Sequence, residues 1–241
     1  MRLGASASVI LNTTDAAALD PSTVPAAFGH GTMVAGVVHR AAPWAKIMPL
    51  KAFTADGQAN LFDIVRAVYW AVDHGAQVIN MSFSMEAFSP ELLRAVNYAA
   101  RKGVTCVASA GNDGAETTVY PAALGDAIGV ASTDRWDYLS PFSNFGDDLV
   151  TVSAPGENIL TAYPGGRWAV VSGTSFAAPW VSGAVALFVD RNDADTKPVR
   201  ANYYISVDAL AHSQPVHGFG HLRSGHGRMD VRRALDELET P

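Results

Sequence analysis

The sequence predicts an α/β fold in which a mostly parallel sheet is covered by helices on both faces. Strand-like apolar segments alternate with helical segments along the chain, which is the pattern of βαβ units. Residues 77–83 are predicted to form a strand covered on both faces, since four of the seven are the apolar residues Val78, Ile79, Met81 and Phe83. Ligands of such sheets bind beyond the carboxyl ends of the strands, so the loops after Phe83, Ala110 and Ala154 are the places to look for chemistry.

Local patterns predict the individual elements. Residues 60–74 carry apolar side chains at helical spacing, and residues 46–53 before them form a strand-like segment. Ser89 is predicted to cap a helix that has Pro90 in its first turn and ends near Lys102, with Gly103 as its stop. Further strands are predicted at residues 104–110, 127–132, 149–154 and 167–171, and further helices at residues 177–190 and 227–238.

Composition limits the partners of this chain. The 241 residues are 49% hydrophobic and 17% charged, which suffices for the core of one large domain or two small ones. The net charge of −6 argues against a nucleic acid or an anionic membrane as the partner. The start of the chain lacks the apolar stretch of a signal peptide, and no apolar run is long enough to span a membrane. The single cysteine, Cys106, excludes an intrachain disulfide and is predicted to be a buried, inert thiol.

Three segments lie where this fold would need chemical groups. His30 begins a helix of small residues, Asn112 follows a buried strand, and Ser175 stands at a strand-to-helix junction. A serine in the first turn of a helix is close to free N–H groups and the positive end of the helix dipole, although a simple helix cap fits the local pattern equally well. Together, a histidine base, a serine nucleophile and an amide donor form a coherent set for acyl transfer.

A second arrangement of the same serine is the nucleophile elbow of α/β-hydrolases. Gly173, Ser175 and Ala177 approximate its Gly-x-Ser-x-Gly pattern, and Asp208 and His212 follow in the right order. No upstream HGGG-type loop accompanies them. An esterase of this type is therefore the weakest of the alternatives.

The chain resembles the subtilisin-like serine proteases (subtilases, peptidase S8) over roughly residues 28–240. The motifs occur in the family order: residues 29–32, 78–82, 109–112, 120–122, 142–146, 154–156 and 173–179. The resemblance implies a serine endopeptidase in which Ser175 attacks the scissile carbonyl, His30 transfers the proton, and Asn112 with the Ser175 N–H holds the oxyanion.

The resemblance also implies a peptide-binding cleft. Ser82, Phe83 and Ser84 would pair with an extended peptide or protein substrate. The other wall of the specificity pocket would consist of Ser109, Ala110 and Gly111. A cis peptide bond between Tyr120 and Pro121, and a secreted or periplasmic location, follow from the same resemblance. No cofactor is expected; calcium is bound by some family members, but no metal site can be traced in this sequence.

The family's catalytic aspartate, in an Asp-Thr/Ser-Gly motif upstream of the histidine, is not recognisable. In one reading that motif precedes Met1, and residues 1–28 are the remains of the N-terminal region or of an insertion before the histidine motif. In the other reading Asn12 replaces the aspartate. The short spacing of 18 residues between Asn12 and His30 favours the first reading. The peptidase domain is predicted to span residues 29–241, with reduced activity in either case.

A missing aspartate strand would leave a gap in the centre of the sheet, with unpaired backbone groups on both sides. Residues 7–11 are therefore predicted to fill this position, or else a second chain does. The leading hypothesis is an impaired serine endopeptidase; the alternative from another functional class is a non-catalytic pseudoprotease that binds peptides in the same cleft.

Overall fold

The computed structural model describes residues 6–10, 27–54, 56–191, 213–217 and 225–237. Eight strands lie in these ranges: β1 Ser6–Ile10, β2 Lys46–Leu50, β3 Val78–Met81, β4 Thr105–Ser109, β5 Ala127–Thr133, β6 Val152–Pro155, β7 Ile159–Tyr163 and β8 Arg167–Val171. Five helices accompany them: α1 His30–Ala41, α2 Leu61–Asp73, α3 Pro90–Arg101, α4 Thr174–Arg191 and α5 Val231–Glu237.

Six of the strands form one parallel sheet in the order β2-β1-β3-β4-β5-β6. All carboxyl ends therefore lie along one edge, where the predicted functional loops come together. Strand β1 pairs with β2 on one side and with β3 on the other, Ala7 lying opposite both Ile47 and Val78. Strand β1 thus overlaps the segment 7–11 that was predicted to fill this position, and both neighbouring strands obtain backbone partners from it.

Helices cover both faces of this sheet. Helices α1 and α4 pack together on one face, around Val37, Val181 and Phe188. On the other face, α2 and α3 bury Val68 and Leu92. The predicted three-layer α/β fold is confirmed by this arrangement.

The starts of α2 and α3 agree with the capping chemistry, whereas α1 has no side-chain cap and α4 starts earlier than predicted. The Asn60 side chain accepts from the Phe62 N–H at 2.9 Å, and the Ser89 hydroxyl accepts from the Leu92 N–H at 3.1 Å, as Ser89 was predicted to do. Helix α4 begins at Thr174, three residues before the predicted start. The reason is a tertiary cap: the side chain of Asn112, 62 residues away, accepts from the Thr174 N–H at 2.9 Å.

Two strands differ from the sequence predictions, and one peptide bond agrees with them. Strand β7, which the sequence reading missed, pairs with β8 in an antiparallel hairpin. Strand β6 starts three residues later than predicted, because the N–H groups of Leu149 and Val150 donate to the Gly146 carbonyl in a turn. The peptide bond between Tyr120 and Pro121 is cis, as predicted.

Burial sets the properties of the cysteine and of the helices. Cys106 is fully buried, and that burial, together with the charge of Asp126, raises the pKa of its thiol to about 12. The thiol is therefore inert, as expected. Among the residues that the structure describes, no helix combines the length and apolar character needed to cross a membrane.

Candidate active site

Ser175 is the second residue of α4 and lies beside the end of β3. Its half-buried hydroxyl donates to the Ser82 carbonyl at 3.3 Å, and its own carbonyl accepts from the Ser82 hydroxyl at 2.8 Å. Backbone N–H groups in the first turn of a helix have no intrahelical partner, and the helix dipole is positive there. This position therefore favours negative charge on a group bound to Ser175.

His30 is the first residue of α1, and the packing of α1 on α4 brings it to the serine motif. The centroid of its ring lies 5.6 Å from the centroid of the Phe176 ring, so His30 contacts the residue that follows Ser175. Burial lowers the pKa of His30 below its ordinary value of 6.5. The neutral imidazole is therefore favoured, and that is the form a general base requires.

The His30 ring has no hydrogen-bonding or ionic partner within the described part of the chain. No described carboxylate accepts from its nitrogens. The Ser175 hydroxyl donates to Ser82 and not to the imidazole. Within the described residues, packing against the Phe176 ring is what holds this side chain.

Asn112 follows β4 and is oriented by Thr174. Its side-chain oxygen accepts from both the N–H and the hydroxyl of Thr174, each at 2.9 Å. The Thr174 hydroxyl in turn accepts from the Gly111 N–H at 3.2 Å. Because the oxygen of the exposed Asn112 amide is occupied, its NH₂ group is the part left to face the cleft.

The predicted substrate-binding segments extend from two adjacent strands. Ser82, Phe83 and Ser84 follow β3, while β4 ends at Ser109 and leads into Ala110 and Gly111. The Ser109 hydroxyl donates to the Phe83 carbonyl at 3.4 Å and so links the two segments. Ser109 and Ala110 are buried and Ser84 is exposed, so the β3 segment offers the more accessible edge.

The structure thus brings His30, Ser175 and Asn112 to one edge of the sheet, together with the segments that follow β3 and β4. Asn12, Asp208 and His212 lie outside the described residues. Sequence reasoning missed Thr174 as the residue that orients Asn112 and Phe176 as the contact of His30; both stand beside Ser175 in the serine motif.

A metal site was not predicted. In the described ranges, no group of three or more His, Cys, Asp or Glu side chains is placed to hold a metal ion. Calcium also takes backbone carbonyl and amide oxygens, so calcium binding is not tested by this result, and the expectation that no cofactor is needed stays a prediction.

Comparison with known proteins identifies the family of this framework. The model of the subtilase family (Peptidase_S8) matches residues 4–221. The thermophilic serine proteinase of Bacillus sp. (strain AK1) is 40% identical over 172 residues, which are 67% of this chain and 43% of that protein. Subtilisin BL of Lederbergia lenta is 35% identical over 201 residues, 80% of this chain and 74% of that protein.

A solved structure agrees with the sequence comparisons. The prenylagaramide maturation protease PagA superimposes with a TM-score of 0.83 at 26% identity, covering 98% of this chain and 94% of that one. The chain nevertheless spans less than half of the thermophilic serine proteinase. With its family model, its relatives and its fold in agreement, the chain belongs to the subtilase family of serine endopeptidases.

Proposed function

We propose that this chain hydrolyses peptide bonds by acyl-enzyme chemistry, with Ser175 as nucleophile and His30 as general base. The observation that carries the proposal is that the first turns of α1 and α4 lie side by side. The half-buried imidazole of His30, whose neutral form is favoured by burial, contacts Phe176, the residue that follows Ser175. Rotation of the Ser175 side chain away from the Ser82 carbonyl would present its proton to His30. The serine oxygen then attacks the scissile carbonyl, and His30 passes the proton to the leaving amine.

The oxyanion formed in that step would be held by Asn112 and the Ser175 N–H. Thr174 occupies the oxygen of the Asn112 amide, which leaves the NH₂ group to donate. A donor fixed before the reaction starts has no reorganisation cost when charge develops on the substrate oxygen. The start of α4 contributes the second donor and a favourable dipole.

The substrate would be a peptide in extended conformation, paired with the backbone of Ser82, Phe83 and Ser84. Two structural neighbours support a peptide as the substrate class. They are described as a lanthipeptide protease and as the epidermin leader peptide processing serine protease from Staphylococcus aureus. Family membership favours this function over an elbow-type esterase. A secreted or periplasmic location is also proposed, on the basis of family membership.

The proposed activity of this chain is slow. In the family the aspartate orients the imidazole and stabilises the imidazolium, and its loss costs about 10⁴-fold in kcat. No described carboxylate bonds to His30. Asn12, the second residue after β1 in the sequence, is the candidate to stand in the aspartate's place.

A peptide-binding pseudoprotease is the second candidate, and one observation favours it. The Ser175 hydroxyl is bonded to the Ser82 carbonyl, while the imidazole has no polar partner in the described residues. A serine held in this way would leave a cleft that binds a peptide without cleaving it.

Labelling with a fluorophosphonate probe distinguishes the two candidates. We expect the chain to be labelled at Ser175, the Ser175→Ala variant to remain unlabelled, and His30→Ala to slow labelling strongly. Absence of labelling, under conditions that label a control subtilase, would establish the pseudoprotease. Unchanged labelling of His30→Ala would refute the role of His30.

The place of Asn12 has a separate test. If Asn12 occupies the aspartate position, the Asn12→Asp variant should label and turn over faster, by up to about 10⁴-fold. Asp15→Asn is the matched control, since it changes a nearby carboxyl that is not assigned to the site. An unchanged rate for Asn12→Asp would remove Asn12 from the proposed site.

A further inference from the structure

A series of buried and partly buried hydrogen bonds connects the third turn of α4 to its first residues by way of β3. The Ser182 hydroxyl donates to the Asn80 side-chain oxygen at 2.8 Å, and the Ala178 carbonyl is a second, longer acceptor at 3.2 Å. The Asn80 NH₂ group donates to the Ser82 hydroxyl at 2.8 Å. The Ser82 hydroxyl then donates to the Ser175 carbonyl at 2.8 Å. We propose that Asn80 is a positioning residue for Ser175 and acts through Ser82, an inference that rests on the proposed function of Ser175.

The side chain of Asn80 is buried, so its amide depends on protein partners rather than on water for its hydrogen bonds. Asn80 is 1% exposed and lies in β3, whose other residues are apolar. Its partner Ser182, in α4, is fully buried. A buried amide is costly unless both its oxygen and its nitrogen are paired. Both are paired here, and both partners lead to α4.

Pro179 explains why the Ser175 carbonyl needs a donor from outside the helix. In a regular helix this carbonyl would accept from the N–H four residues later, but residue 179 is a proline and has no N–H. The proline ring also crowds the carbonyl of the residue four positions earlier. The Ser82 hydroxyl supplies the missing donor and fixes the first turn of α4 against β3.

The direction of the series makes Asn80 the controlling member. Every donor points the same way, from Ser182 to Asn80, from Asn80 to Ser82, and from Ser82 to Ser175. The NH₂ group of Asn80 is a donor only, so the oxygen of the Ser82 hydroxyl accepts from it. The proton of that hydroxyl is then directed to the Ser175 carbonyl. Without Asn80, the Ser82 hydroxyl is free to rotate, and the first turn of α4 loses a fixed partner.

The test compares Asn80→Ala with Val68→Ala. Val68 is fully buried on the opposite face of the sheet, so its truncation destabilises the fold without touching the series. The first measurement is fluorophosphonate labelling across probe concentrations. We expect Asn80→Ala to lower the maximal labelling rate about tenfold at an unchanged half-saturating concentration, whereas Val68→Ala keeps the wild-type rate.

The second measurement does not depend on catalysis. Amide hydrogen exchange should show that Asn80→Ala lowers protection of residues 174–182 about tenfold relative to the rest of α4, while Val68→Ala shows no such local loss. Ser182→Ala, which places a strong helix former in α4, serves if Asn80→Ala fails to fold, with an expected loss of about threefold.

The outcomes separate this inference from the proposed function. Equal labelling rates and equal local protection in Asn80→Ala and Val68→Ala would overturn the positioning role. Absence of labelling in the unmodified chain would overturn the proposed function instead, and hydrogen exchange would then decide by itself: a local loss in Asn80→Ala supports the positioning of Ser175, and its absence refutes it.

Discussion

The starts of α1 and α4 carry the two reacting groups of the proposed site, but they are held by different means. At α4, side chains from distant segments bond to the backbone: Asn112 to Thr174, and Ser82 to Ser175. At α1, no side chain caps the helix, Gly29 adopts a left-handed conformation with φ of 76°, and His30 contacts the Phe176 ring. The nucleophile is thus fixed by hydrogen bonds and the base by packing.

This difference indicates where the site is complete. An oxyanion donor must be fixed before charge develops on the substrate, and the hydrogen bonds to the backbone at the start of α4 supply that constraint. A packed imidazole is less constrained until one of its nitrogens has a partner, which is the task of the aspartate in a triad. Four predictions test this contrast, from the largest expected effect to the smallest.

Replacement of Asn112 by leucine should have the largest effect of the four. It removes the amide that donates to the oxyanion while keeping a side chain of similar size, so kcat should fall about 10²–10³-fold at nearly constant KM. Steady-state hydrolysis of a peptide substrate measures both constants. A loss confined to KM would show that Asn112 binds the substrate equally well before and during the reaction.

Thr174→Val should weaken the same donor indirectly. The substitution keeps the shape of a fully buried side chain but removes the hydroxyl that bonds to Asn112 and Gly111, so kcat should fall about tenfold. Thr105→Val is the control, because Thr105 is equally buried and its hydroxyl has no hydrogen-bond partner among the described residues. Similar losses in both variants would contradict a specific role for Thr174.

Gly29→Ala tests the packed side of the site. A Cβ atom at Gly29 would lie 2.7 Å from Cδ of Pro164, in addition to the strain of a positive φ. We expect the free energy of unfolding to fall by about 1–3 kcal/mol, with a severalfold loss of labelling as His30 moves. In Gly75→Ala, φ is also positive but no atom lies within 4 Å, so this variant isolates the backbone term. Equal losses in chemical denaturation would show that the Pro164 contact does not matter.

The smallest of the four effects is expected in the pH dependence of kcat/KM and of the free energy of unfolding. Because burial lowers the pKa of His30, the neutral base persists below pH 6.5, and the acid limb of kcat/KM should have its midpoint there. For the same reason, as the pH falls, His30 becomes protonated at a higher pH in the unfolded chain than in the folded one. Its contribution to stability is complete above 6.5 and is lost as the pH falls toward the folded pKa. A midpoint above 6.5 would indicate an anionic partner for His30.

Much of the fold could be read from local patterns, because those patterns are direct consequences of burial. The segment 77–83 was predicted as a strand and contains β3 at Val78–Met81, and Ser89 with Pro90 predicted the start of α3 to the residue. Strand β7 was missed because its register depends on β8 and on packing against α1, neither of which leaves a strong local pattern. The predicted boundary at residue 28 and the role of Asn12 stay predictions.

The sequence alone determined the residue types of the site, since His30, Asn112 and Ser175 stand in motifs whose order resembles one family. The tertiary structure decided how they are held. Nothing in the local sequence indicates that Asn80 is a buried amide paired with α4. Nor does the local sequence show that the Ser82 hydroxyl supplies the donor that Pro179 cannot give to the Ser175 carbonyl. The bonds from Ser82 to Ser175 and from Ser182 to Asn80 join residues 93 and 102 positions apart, and only the packing of a helix on a sheet brings them within reach.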